Sequence, residues 1–161
     1  MTELATAPRL DQLRVGGDLP ELRKDPITKL QLVKYAGASG DFNLIHTDDE
    51  TAKAVGLDGV IAHGMLSMAF LGQYCCWLAG PESVRRLTVR FAEMVRPGDV
   101  LTCRGRVKSR EEHETERRLT IEIWAENQRA QPVTTGEAEL LVQLPSPLLE
   151  GGASGRGVAP A

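Results

Sequence analysis

Between Tyr35 and Met68 the sequence YAGASGDFNLIHTDDETAKAVGLDGVIAHGMLSM brings several acid/base side chains into one short span. Asp41 and His46 lie five residues apart, and His63 precedes Gly64 where the most apolar segment of the chain begins. A carboxylate and an imidazole can hold one water only if both side chains converge within hydrogen-bond reach of it. On a regular helix, residues five apart point about 140° away from each other. GDFNLIH must therefore be irregular if the pair is to cooperate. Gly40 permits such a path, and Asn43 can bond the loop's own backbone and hold it open. From spacing alone, an ordinary Asp/Asn/Gly turn competes with a proton-transfer pair.

The order of the residues separates the two. The segment resembles the signature of the MaoC-like (R)-specific enoyl hydratases and dehydratases: an aromatic residue, small residues, then G-D-x-N-P-hydrophobic-H, with H-G-M downstream. Tyr35, Gly40, Asp41, Asn43, Ile45, His46, His63, Gly64 and Met65 fall in register with it. Similarity runs from about residue 15 to residue 144 and is strongest to the B-type, catalytic subunits of bacterial (3R)-hydroxyacyl-ACP dehydratases. Leu44 stands where that family has proline, which would stiffen the chain between acid and imidazole.

The resemblance implies an acyl thioester substrate, on CoA or ACP, with its pantetheine arm in a tunnel beside a central helix. The reaction is reversible addition of water across a trans-2-enoyl thioester to give the (3R)-hydroxyacyl product. Asp41 and His46 are then the catalytic pair, with Asp41 favoured as base, although coupled groups titrate together. Gly64 at a helix start is the backbone donor to the developing enolate oxygen. Asn43 supports the loop, and Met65 and His63 line the substrate side. For His63 a wall or capping role is preferred over a third catalytic imidazole. Asp41, His46 and His63 lack a compact metal-ligand motif, so neither metal nor cofactor is expected.

Composition sets the frame. The chain's 161 residues suit one domain, and 42% hydrophobic with 25% charged residues is a globular balance. A net charge of −3 offers no positive field for nucleic acid or anionic lipid. The amino terminus carries early acids and no apolar core region, which argues against a leader peptide and for the cytoplasm. Cys75, Cys76 and Cys103 read as free thiols, with the adjacent pair buried rather than redox-active.

The elements that must position the pair follow in order. Residues 1–14 are polar and irregular, and a short extended segment covers about residues 18–24. Thr28 with Gln31 predicts a capped helix with Leu30, Leu32, Val33 and Ala36 as its apolar face. Thr47 to Glu50 predicts a second capping box opening a helix over residues 48–55, with Asp48, Asp49 and Glu50 as caps rather than catalysts. Residues 62–79 are apolar almost all round and predict a core helix rather than a membrane span.

Period-two alternation then predicts four strands, around Leu87, Val89 and Phe91; Leu101, Cys103, Gly105 and Val107; Leu119, Ile121, Ile123 and Ala125; and Gly136, Ala138, Leu140 and Val142. The charged run at 108–118, including His113, is expected to form a solvated hairpin end. Residues 145–161, rich in Pro, Gly and Ala, are expected to be disordered.

A sheet with one apolar face and a helix with none that is polar solve each other's burial by wrapping, an α+β layout. The resemblance independently implies the same arrangement, the hot-dog fold, over residues 15–144. An uncovered sheet edge and helix flank predict a dimer, either a homodimer or a heterodimer with a second hot-dog subunit. A hot-dog thioesterase and a non-catalytic partner subunit are the rival functions. The intact acid and imidazole argue against both.

Overall fold

Alternating apolar residues produce a single antiparallel sheet in the computed structural model, which describes residues 14–113 and 115–143. The expectations for residues 1–13 and 144–161 lie outside the described residues. The strands are β1 (Leu22–Arg23), β2 (Val84–Phe91), β3 (Thr102–Glu112), β4 (Glu116–Glu126) and β5 (Pro132–Gln143), in sheet order β1-β3-β4-β5-β2. Residues opposed in register, such as Leu119 with Leu140 and Ile121 with Ala138, send their side chains to the same face, where all four are buried.

That face wraps the helix α3 (Gly64–Ala79), which packs on β2, β3, β4 and β5. Leu71, Tyr74 and Cys75 are wholly buried there. Each large apolar side chain so buried contributes about 1.5–3 kcal/mol. Burial also pushes the Cys75 and Cys103 thiols up to about 12, so both are inert, while Cys76 is half-buried. This is the expected hot-dog arrangement. Among the described residues no helix is long and apolar enough to cross a membrane.

Two shorter helices, α1 (Lys29–Ser39) and α2 (Asp49–Ala54), lead into and out of the acid/base loop. The Thr28 side chain caps α1 by accepting from the Gln31 amide at 3.1 Å. Of the four residues assigned to the apolar face of α1, Leu32 and Ala36 are buried, but Leu30 and Val33 are exposed. A helix lying on the surface buries only a narrow stripe.

The second cap is shifted by one residue from the predicted box. Asp48, not Thr47, is the N-cap of α2, accepting from the Thr51 amide at 2.9 Å. Asp49 turns away from its own helix to accept from the Val60 amide at 3.0 Å and from Lys29. The charged run at 108–118 is another correction: it is mostly strand, with Arg110 to Glu112 paired against Leu119 to Arg117.

Candidate active site

Helix α1 ends at Gly40, whose left-handed φ of 75° lets the chain reverse direction where a side chain would be strained. The Asp41 amide then donates to the Ser39 hydroxyl at 3.2 Å, and the Asn43 amide donates to Asp41 Oδ1 at 3.2 Å. One carboxylate oxygen is thereby tied to the loop backbone and the other is left free. Asn43 in turn accepts from the Ile45 amide at 3.2 Å and starts a 3-10 turn over Leu44–His46. These local bonds bend the five-residue interval so that acid and imidazole meet.

His46 is 8% exposed, and its Nδ1 lies 2.8 Å from the Ile61 carbonyl oxygen. A carbonyl only accepts, so Nδ1 carries a proton, and in the neutral imidazole Nε2 presents its lone pair. Nε2 faces Asp41 Oδ2 at 3.8 Å. That separation is too long for a direct hydrogen bond, and both atoms are acceptors. A water between them can donate one O–H to each, which leaves an oxygen lone pair free to attack.

His63 is placed at the N-cap of α3, but its side chain makes no capping bond. The ring instead stacks on His46, with centroids 3.8 Å apart and an interplanar angle of 26°, and its Nε2 donates to the Asp41 backbone carbonyl at 3.1 Å. Tyr35 also lies near this ring, its own centroid 5.0 Å from that of His63 and tilted by 55°.

Gly64 follows at the first helical position, where an amide has no intrahelical acceptor. It borders a cleft of about 310 Å³ lined by Ile61, Ala62, Phe91, Glu93 and Met94. The Phe91 ring lies flat against Gly64, at 3.3 Å from where a Cβ would sit. Met65 is exposed on the helix flank.

The structure thus brings together Asp41, Asn43, His46 and His63, with Gly64 beside the cleft. Two participants were missed from sequence: the Ile61 carbonyl, for which no side-chain signal exists, and Phe91, which was read only as one of a strand's apolar residues. Asp41, His46 and His63 each offer one ligand atom within 4.8 Å of the others. One nitrogen of each ring donates to a backbone carbonyl, which leaves His46 Nε2 and His63 Nδ1 as the nitrogens with a lone pair.

Fold and site together define a hot-dog protein with a carboxylate–imidazole pair at the head of its central helix. A family model described as a MaoC like domain matches residues 13–128. The chain belongs to that family.

Among curated relatives it is 40% identical over 74 residues to the 3-hydroxyacyl-thioester dehydratase X of Mycobacterium tuberculosis, covering 43% of this chain and 24% of that protein. It is 34% identical over 110 residues to the fatty acid synthase subunit beta of Aspergillus oryzae, covering 66% of this chain and 5% of that protein. The chain therefore spans only a small part of these relatives. Among solved structures, the unliganded R-hydratase PhaJ1 of Pseudomonas aeruginosa is similar at 26% identity and a TM-score of 0.72, over 94% of this chain and 95% of that one.

Proposed function

We propose that the protein is an (R)-specific enoyl-thioester hydratase/dehydratase acting on trans-2-enoyl groups carried by CoA or ACP in fatty-acid metabolism. The observation that carries this reading is the pair of acceptors, Asp41 Oδ2 and His46 Nε2, facing each other across 3.8 Å. Water held by both loses a proton to one of them as its oxygen bonds to the β-carbon. The double-bond electrons move onto the thioester oxygen, where the Gly64 amide donates with the α3 dipole behind it. The thioester carbonyl re-forms as the dyad returns a proton to the α-carbon, so one water is added and nothing is lost. Dehydration is the same path reversed.

The names of the similar proteins, R-hydratase and 3-hydroxyacyl-thioester dehydratase, support the stereochemistry and the substrate class. The buried free thiols fit a reducing compartment, and the cytoplasm is the proposed location.

The free edge of β2 and the exposed Met65, Phe91 and Met94 beside the cleft support assembly with a second hot-dog chain. A homodimer is the proposed state of the isolated chain.

The test is loss of 2-enoyl absorbance when protein is added to crotonyl and longer enoyl thioesters, followed by chiral analysis and light scattering of the purified protein. (R)-3-hydroxyacyl product from a dimer is expected. An (S) product, or thiol release without hydration, overturns the reading.

A further inference from the structure

His63 makes one contact with each half of the pair. Its Nε2–H donates to the Asp41 carbonyl at 3.1 Å, and its ring lies against that of His46 with centroids 3.8 Å apart. Its remaining ring nitrogen, Nδ1, is buried and has no hydrogen-bond partner. A buried polar atom left unsatisfied is uncommon and calls for an explanation. The Asp41 carbonyl accepts only from Nε2–H, so the ring is held in one tautomer at the expense of Nδ1.

We infer that His63 is the positioning residue of the dyad. It fixes the Asp41 loop through the backbone carbonyl and the His46 plane through ring stacking, and so maintains the gap in which the water is held. The two stacked imidazoles are opposite tautomers: His46 bears its proton on Nδ1, toward Ile61, and His63 bears its proton on Nε2, toward Asp41. His63 itself neither takes nor gives a proton in the reaction.

The inference rests on Asp41 and His46 being the reacting pair, and two substitutions separate the contacts. His63→Gln keeps an N–H at the reach of Nε2 but removes the stacked ring. His63→Phe keeps the ring and removes the donor. Each is expected to lower kcat between about tenfold and a hundredfold, the cost of a misplaced catalytic group, with KM within about twofold. Combined with Asp41→Asn, neither should cost more than Asp41→Asn alone, because a residue acting through the dyad has nothing left to position.

Nitrogen-15 NMR of the imidazoles in the unmutated protein provides a readout that needs neither turnover nor a folded variant. It should show His63 protonated at Nε2 and His46 at Nδ1. Full kcat in either variant, losses that multiply with Asp41→Asn, or a His63 proton on Nδ1 would each overturn the inference. A wild type that hydrates no enoyl thioester defeats the proposed function, whereas a wild type that hydrates while either variant keeps full kcat defeats the role of His63 alone.

Discussion

Asp41 Oδ2 stands 3.8 Å from His46 Nε2, and with the imidazole proton on Nδ1 both atoms face the gap as acceptors. The gap suits a shared water rather than an ion pair. Asp41→Asn and His46→Ala are each expected to lower kcat by about 10²-fold or more, the size of a lost positioned acid/base group. Because the two grip one water, the double variant should be little worse than the poorer single. Steady-state hydration kinetics with circular dichroism as a folding control measure this. Mild losses that multiply would show a loop with only a structural role.

The loop in which these residues sit was legible because its geometry is local. Gly40, Asn43 and the Ser39 and Asp41 side chains all bond within four residues of themselves, so spacing and residue type foretell the bend. The strands were legible for the same kind of reason: alternation at Leu119, Ile121, Ile123 and Ala125 survives into four buried side chains. What failed depended on cross-strand or backbone partners. The run at 108–118 reads as a solvated end because its residues are charged. Yet Glu112 lies opposite Arg117 in the register and pairs with it at 3.0 Å, and opposite charges across a ladder are compatible with strand. The partner of His46 is a backbone carbonyl, which every residue possesses and no sequence pattern marks.

Leu44 replaces the proline of the family pattern, and the backbone around it remains suited to proline. Asn43 before it has φ −58° and ψ 123°, the extended conformation a residue preceding proline needs. The Leu44 amide donates to nothing among the described residues, and the side chain is exposed. Leu44→Pro should therefore raise stability by about 0.4–1 kcal/mol through a less flexible unfolded chain. kcat should stay within about twofold of wild type, since no functional group is touched. A thermal melt that falls instead would mean the 3-10 turn needs the Leu44 amide.

Asp49 ties three segments together, accepting from Lys29 at the start of α1 and from the Val60 amide two residues before Ala62. The Lys29 hydrogen bond, followed by the Val60 amide, holds its carboxyl below the ordinary value of 3.8. A carboxylate depressed in the folded state adds stability above its unfolded pKa and loses it as pH falls through the folded one. Asp49→Asn should thus melt lower than wild type near neutral pH, and the difference should close on acidification below about pH 4. Melting curves taken across that range decide it. A difference that stays constant with pH would assign the effect to packing rather than charge.

Gly64 and Phe91 set how closely anything can approach the start of α3. The Phe91 ring atoms lie 3.3 Å from the point a Gly64 Cβ would occupy, a contact a few tenths of an ångström too close. Phe91 is 47% exposed and sits on the edge strand, so the ring can yield outward instead of forcing the helix to move. Gly64→Ala also removes backbone freedom from the unfolded chain, which offsets any strain, so the melting temperature should change little. The displaced ring and the new methyl group together narrow the cleft of about 310 Å³ that Gly64 and Phe91 both line. If the thioester oxygen meets the Gly64 amide there, kcat/KM should fall by about tenfold or more, as small misplacements at a reacting centre do. Phe91→Leu in the Gly64→Ala background frees the space and should restore most of that loss. Full activity in Gly64→Ala would show that the thioester does not lie against this amide, and would move the oxyanion donor to another position.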